Sequence, residues 1–421
     1  MDYSTMSNDA LQNNLAGAKK RHSLLVKEKL NLDLSRGKPC PEQLDLSMPL
    51  LNICNSTFKS PKGTDYRNYG YLDGVPELRA VLAQILDVDE TNVLVGGSNS
   101  LNLMYDVLAR AYCFGVCGAT PWCKLPEVKF ICPVPGYDRH FTLLEQFGIQ
   151  MISVPMDDNG PDMDLVEELV AGDQNIKGMF CVPRFSNPSG IVYSNEVVDR
   201  LMNMRCAASD FRIFWDNAYF AHELYPDAPK LKNVFRCDNP NLDRFYMFIS
   251  TSKITFASGG ISALVCSEKN YASMHKMLSA QTINYDKINQ YAHAQFLQSA
   301  ENLRAHMEKH AAILRPKFEI IISALREAFD GCKEVRWTEP RGGYFITITT
   351  MPHVAHRVIE LCKKAGLKLT EAGCAHPLHR DDMDSTIRVA PSFAPMEELE
   401  LCGKVLTCSL EIATLEELLN K

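Results

Sequence analysis

Between about residue 90 and residue 266, short apolar runs alternate with longer stretches in which apolar residues recur at helical spacing. The runs at 92–95, 128–132, 150–154, 178–182, 212–215, 245–249 and 261–266 predict seven strands. The stretches 101–113, 137–147, 162–170 and 195–208 predict helices between them. Such alternation is the signature of an α/β fold, a mostly parallel sheet covered on both faces. Past residue 285 the pattern changes. A long helical stretch over about 288–329 is followed by strand, helix and strand pieces, with strands expected at 344–349 and 386–390, which predicts a smaller α+β domain. The first fifty residues, with Pro39, Pro41 and Pro49, predict a helix and an extended arm rather than a domain of their own. The expected organisation is therefore an arm at 1–50 that joins the small domain, a large domain at 51–287 and a small domain at 288–421.

Composition narrows the function classes. The 421 residues hold 44 Lys plus Arg against 51 Asp plus Glu, a net charge of −7. No basic stripe is available to neutralise a phosphate backbone, so a nucleic-acid partner is not expected. The fifteen cysteines are scattered, and reduced thiols are expected. Neither Cys113, Cys117, Cys123 and Cys132 nor Cys374, His376 and His379 has the paired close spacing of a structural zinc site, so no metal is expected. The polar N-terminus lacks the charged and apolar regions of an export signal, and no apolar run approaches ~18 residues. A soluble cytoplasmic protein without a membrane partner is the expectation.

Open parallel sheets bind ligands beyond the carboxyl ends of their strands, so the polar residues just after each apolar run matter most. Gly96-Gly97-Ser98-Asn99-Ser100 follows the first strand and opens a helix, offering hydroxyls and free N–H groups at a positive dipole end. It reads either as a phosphate cup or as an ordinary N-cap by Ser98 or Asn99. It lacks the lysine of a P-loop and the glycine spacing of a dinucleotide fingerprint. Asp216 ends the fifth strand and is followed by Asn217, Ala218 and Tyr219, a carboxylate and a phenol able to face one bound group. Ser250-Thr251-Ser252-Lys253 places a lysine among hydroxyls at the end of the sixth strand, where burial among apolar walls would lower its pKa and make it a nucleophile for carbonyl carbons. Asn187 lies in the proline and glycine turn Ser186-Asn187-Pro188-Ser189-Gly190, and Arg388 lies within the short run Ile387-Arg388-Val389, where its fork suits a carboxylate.

Together with Asn68-Tyr69-Gly70, Gly74-Val75-Pro76-Glu77-Leu78-Arg79 and Pro135-Gly136-Tyr137, these segments resemble the pyridoxal-phosphate-dependent aminotransferases of fold type I, class I, over nearly the whole chain. Leu34-Ser35-Arg36-Gly37, the segment Cys132 to Phe141 and the segment Asp210 to Tyr219 are similar to a bacterial aspartate aminotransferase subgroup. The resemblance implies pyridoxal 5′-phosphate as cofactor. It implies that Lys253 holds the cofactor aldehyde as a Schiff base and moves the proton between substrate and cofactor, that Asp216 keeps the ring nitrogen protonated, and that Tyr219 and Asn187 donate to the ring's phenolate oxygen. Tyr137 would stack on the ring. Ser98, Asn99, Ser100 and Ser250 would hold the phosphate, with Tyr69 reaching across from a partner subunit of a homodimer. Arg388, with Gly37 and Asn187, would bind the substrate carboxylate.

One position departs from the pattern: Ile261 stands where many class I members carry an arginine that neutralises the phosphate. Lys287 is a candidate for that charge. The subgroup likeness implies aspartate or glutamate with 2-oxoglutarate as substrates, which requires a second cation, and Arg36, Arg139, Arg184 and Lys287 are all open. Other donors, or lyase chemistry with the same cofactor, would use the same residues. Two further readings fare less well. Ser250-x-x-Lys253 is also a serine acyl-transferase motif, but the Lys-Thr-Gly triplet of those enzymes is missing and the serine ends a strand instead of opening a helix. A non-catalytic regulator on this fold would need a DNA-binding helix-turn-helix, for which the first ~50 residues leave little room.

Overall fold

All seven apolar runs become strands of one sheet, and the chain between them supplies the layers on its two faces. The computed structural model describes residues 3, 6–53 and 58–420; the remaining positions of the 1–50 arm, of 51–287 and of 288–421 lie outside the described residues. Thirteen strands occur along the described chain: β1 Leu32–Asp33, β2 Val93–Val95, β3 Lys129–Val134, β4 Gln150–Asp157, β5 Gly160–Pro161, β6 Ile176–Cys181, β7 Arg212–Asp216, β8 Phe245–Ser250, β9 Ser262–Cys266, β10 Val335–Trp337, β11 Ile346–Thr350, β12 Leu367–Lys368 and β13 Thr386–Val389.

The large sheet has the order β2-β9-β8-β7-β6-β3-β4-β5. Strands β4, β3, β6, β7 and β8 run parallel, β9 runs antiparallel to both β8 and β2, and β5 turns back antiparallel on β4. The sheet thus has eight strands where seven are expected from the sequence. The additional one, β5, is two residues long and leaves no periodic trace. After β4 the chain crosses back past β3 to build β6, so the strand order reverses between β3 and β6, which is where such sheets open a crevice. Every residue of β6, β7, β8 and β9 is buried, as a sheet covered on both faces requires. Alternation then sorts the side chains. Ile213, Trp215, Met247 and Ile249 face one core, while Phe214, Tyr246 and Phe248 face the other.

A second, antiparallel sheet, β10-β11-β13, shares its core with helices Asn8–Lys27, Ala300–Phe329, Ala355–Lys364 and Met396–Leu419. The first and last of these lie side by side, joined by Lys19–Glu416 at 2.8 Å, and β1 pairs parallel with β12. Both chain ends therefore build one body. The stretch expected as one helix over 288–329 is two, Lys287–Leu297 and Ala300–Phe329. The break falls where Gln298 takes φ +56° and Ser299 caps the second helix, its hydroxyl accepting from the Asn302 amide at 3.2 Å. Apolar spacing runs through this joint and conceals it from the sequence. Tyr291, Ala294 and Leu297 of the first helix enter the core beneath the large sheet. Among the described residues, no helix is long and apolar enough to cross a membrane.

Candidate active site

Asp216 and Ser250 end β7 and β8, and Tyr137 and Asn187 follow the carboxyl ends of β3 and β6, so four neighbouring parallel strands deliver them to one end of the sheet. Asp216 is 3% exposed, and its Oδ2 lies 3.0 Å from His140 Nε2. An ionised carboxylate only accepts, so the imidazole proton is assigned to Nε2. His140 is itself fixed by stacking on Phe180, with centroids 4.2 Å apart and planes 13° from parallel. The other carboxylate oxygen, Oδ1, is buried without a protein partner. A buried open acceptor on a charged group is costly unless a donor meets it, which suits the protonated ring nitrogen of a pyridine cofactor.

Lys253 Nζ lies 4.8 Å from the centre of the Tyr219 ring and 6.0 Å from that of Tyr344. Burial, and next the charge of Asp216, push the Tyr219 phenol well above its ordinary pKa, with Arg388 opposing. Burial pushes Tyr137 up to about 12, with the Lys253 cation opposing. Both phenols are therefore neutral donors at physiological pH. Tyr137 opens helix Asp138–Gln146, and its ring meets that of His140 edge-on at 5.0 Å.

The hydroxyl-lined cup is assembled from two strand ends. Ser250 Oγ lies 2.6 Å from Ser252 Oγ, and Ser252 Oγ donates to the Ser98 carbonyl at 3.1 Å. Ser262 ties β9 to the same loop, its hydroxyl donating to the Gly97 carbonyl at 2.9 Å. Gly260 closes the far wall: a Cβ there would lie 3.0 Å from both Ser98 O and Ser252 N. Asn99 caps the 15-residue helix Ser100–Phe114 by accepting from the Asn102 amide at 3.0 Å, and its own amide donates to Ser98 Oγ at 3.3 Å. The cup thus combines serine hydroxyls with a helix N-terminus, a donor set that fits a phosphate. Ile261 is buried in the core and its amide donates to Thr251 Oγ1 at 2.8 Å.

Arg388, from β13, extends over the Phe345 ring at 5.1 Å. Its Nη1 is 3.4 Å from Asn187 Oδ1 and 3.5 Å from Asp138 Oδ1, and its Nη2 donates to Thr370 Oγ1 at 3.2 Å. These contacts are long for charged hydrogen bonds and leave the fork able to take a carboxylate. Gly37 explains how the arm passes this group, since a Cβ there would lie 2.1 Å from the Phe345 ring.

The other candidates separate by surroundings. Tyr69 is 78% exposed, on the outside of the chain. Lys287 is buried at 3% exposure, its amine donating to the Asn68 carbonyl, and burial lowers its pKa while Asp65 opposes. Arg184 is held by the Phe220 carbonyl and Glu223, Arg36 is paired with Asp33 at 3.3 Å, and Arg139 is exposed. Sequence reasoning assigned no role to His140, Asp138, Thr370, Ser252 or Tyr344. Two of these left a signal, His140 one helical turn after Tyr137 and Ser252 in the hydroxyl run before Lys253.

A family model described as aspartate amino-transferase matches residues 6–421. An aspartate aminotransferase of Corynebacterium glutamicum is 46% identical over 399 residues, covering 93% of this chain and 92% of that protein. A putative aminotransferase of Mycolicibacterium smegmatis is 40% identical over 423 residues, covering 98% of each. The crystal structure of an aspartate transaminase from Corynebacterium glutamicum superposes with a TM-score of 0.96 at 42% identity, covering 99% of both chains.

Proposed function

Since the chain belongs to the aspartate aminotransferase family and is a pyridoxal-phosphate-dependent aminotransferase of fold type I, we propose that it exchanges the amino group between aspartate and 2-oxoglutarate, giving oxaloacetate and glutamate, with either amino acid as donor according to direction and with Lys253, Asp216 and Tyr219 as its catalytic residues. The observation that carries the assignment is the open, buried Asp216 Oδ1 in the same crevice as the Lys253 amine. When bound, pyridoxal phosphate supplies an electron sink for the pair left behind when the substrate Cα–H bond breaks. The residues do the rest. Lys253 anchors the cofactor through its amine and, once released, carries the proton to and from Cα. Asp216, oriented by His140, holds the proton on the ring nitrogen. Neutral Tyr219 and Asn187 donate to the ring oxygen, and Tyr137 covers the ring face. Ser98, Asn99, Ser100, Ser250 and Ser252 bind the phosphate. Arg388 binds the substrate α-carboxylate, Gly37 giving it room.

In this reading residues 51–287 form the cofactor-binding domain, and 288–421 with the first fifty residues form the smaller one. The exposed Tyr69, together with Leu51 and Ile283 at 55% and 63% exposure, supports a homodimer in which Tyr69 completes the neighbour's site. The test is spectroscopic. Purified protein is expected to be yellow, and Lys253→Ala to lose that band. Adding amino acids singly should bleach it with aspartate and glutamate. Bleaching by aromatic or branched donors alone would overturn the substrate assignment, and a protein that never takes up the cofactor would overturn the whole reading.

A further inference from the structure

The turn that carries Lys253 belongs to neither helix nor strand: the Thr251 carbonyl accepts from the Ile254 and Thr255 amides, both at 2.8 Å, but among the described residues no backbone amide meets the carbonyls of Lys253 and Ile254. Side chains from distant segments meet them instead. Tyr344 Oη donates to the Lys253 carbonyl at 3.4 Å and accepts from Gln43 Nε2 at 3.0 Å. His306 Nε2 lies 2.9 Å from the Ile254 carbonyl, to which Ser47 Oγ also donates at 3.3 Å. His310 faces the same carbonyl, with its Nε2 3.1 Å from that of His306. One residue on, Thr255 Oγ1 lies 2.9 Å from His293 Nε2.

The hydrogen positions follow from the partners. Gln43 Oε1 accepts from the Cys40 amide at 3.2 Å, which turns the Gln43 NH2 toward Tyr344 and toward His310 Nδ1, 2.9 Å away. His310 Nδ1 must then accept, so its proton sits on Nε2, on the side shared by His306 Nε2 and the Ile254 carbonyl. A second proton on His310 would meet the Gln43 N–H head-on, and burial also disfavours the charge, as it does in His306. The cluster is a chain of neutral donors that begins in the N-terminal arm, passes through helix Ala300–Phe329 and ends on two consecutive carbonyls.

We propose that Gln43, His306, His310 and Tyr344 are positioning residues for Lys253: by fixing the carbonyls of residues 253 and 254 they set where the amine points each time it is displaced and returns. This rests on the reading of Lys253 as the cofactor-bearing residue. None of the four hydrogen-bonds to Arg388 or Asn187, so substrate binding is left alone while the proton transfer, which depends on the placement of Nζ, is not.

The experiment separates the two layers. Borohydride reduction of the wild-type holoenzyme and peptide mass spectrometry come first; a cofactor attached elsewhere removes the reading of Lys253 itself. Next, Tyr344→Phe, His306→Leu and His306→Gln are compared with wild type in the half-reaction with an amino-acid donor. Tyr344→Phe and His306→Leu should slow its maximal rate by about 10- to 100-fold, with the half-saturating concentration within about twofold. His306→Gln, which keeps an N–H toward Ile254, should recover most of the rate. In the apo-protein, reductive methylation of Lys253 by formaldehyde should change by about threefold or more in the two damaging variants, with exposed Lys20 as an unchanged control. If rate and Lys253 reactivity both stay at wild-type values while only thermal stability drops, the network is packing and the proposal fails. It also fails if His306→Gln is as slow as His306→Leu. Should His306→Leu not fold, Tyr344→Phe, which removes a single hydroxyl, decides alone.

Discussion

Acid should unfold this protein through its histidines before its carboxylates. His222, His293, His306 and His310 surround the Lys253 turn and are at most 8% exposed. Burial is the leading cause that depresses each of them, to about 4 in His293, to about 3 in His310 and downward in the other two. In the unfolded chain each returns to about 6.5. Below that pH the unfolded state takes up protons that the folded state refuses. The stability these residues contribute is therefore complete above about pH 6.5 and is lost as pH falls toward the folded values near 3 to 4. Near pH 5 unfolding binds roughly three protons at His222, His293 and His310, with His306 adding to them in the same direction, so stability falls on the order of 4 kcal/mol per pH unit. A total of ~5–15 kcal/mol is ordinary for a folded protein, so this loss is decisive. Unfolded carboxylates bind few protons above about pH 5, which leaves the histidines as the main titrating groups in that window. Urea unfolding of the apo-protein between about pH 7 and about pH 5 measures the slope, and His293→Gln should reduce it by about 1.4 kcal/mol per pH unit. Stability that is flat across the window, or a slope unchanged in His293→Gln, would refute the argument.

Asp216→Asn keeps a partner for His140 but removes the negative charge, so the protein should fold and bind cofactor while the half-reaction slows by about a hundredfold or more, read by single-turnover absorbance. Gly37→Ala drives a methyl group into the Phe345 ring beneath Arg388, and should cost about 1–3 kcal/mol in urea unfolding and raise KM for the amino acid. Asp210 accepts from Lys177 Nζ at 2.7 Å and Trp122 Nε1 at 2.9 Å in the interior, so Asp210→Ala strands a buried ammonium and should cost about 3–5 kcal/mol, measured by calorimetry.

Much of the fold is legible in the sequence because the large sheet is buried on both faces. Fully buried strands such as Phe245–Ser250 print unbroken apolar runs, and the chain leaves each run at the crevice, which is why Asp216, Ser250 and Lys253 can be picked out one residue at a time. What stays hidden depends on tertiary proximity. Thr370 and Asp138 reach Arg388 from two different segments, and nothing in their local sequence marks them. The joint at Gln298 is equally silent, because a single positive φ can interrupt a helix without disturbing its apolar spacing. Tyr344 stands in an apolar run where a phenol reads as core, and its hydroxyl matters only because Gln43 arrives from 301 residues away.

That separation also bears on how the protein is made. The arm carrying Gln43 leaves the ribosome well before the segments it joins: β12, which pairs with β1, the helix Met396–Leu419, which packs on Asn8–Lys27, and Arg388 all follow it. At ~5–20 residues per second, Gln43 waits on the order of 15 to 60 seconds for Tyr344. Throughout that interval the nascent helix Asn8–Lys27 exposes the apolar face that its later-made partner Met396–Leu419 will cover, so this face is a natural site for a chaperone to bind during synthesis, and a chain truncated before residue 396 loses the partner of that helix.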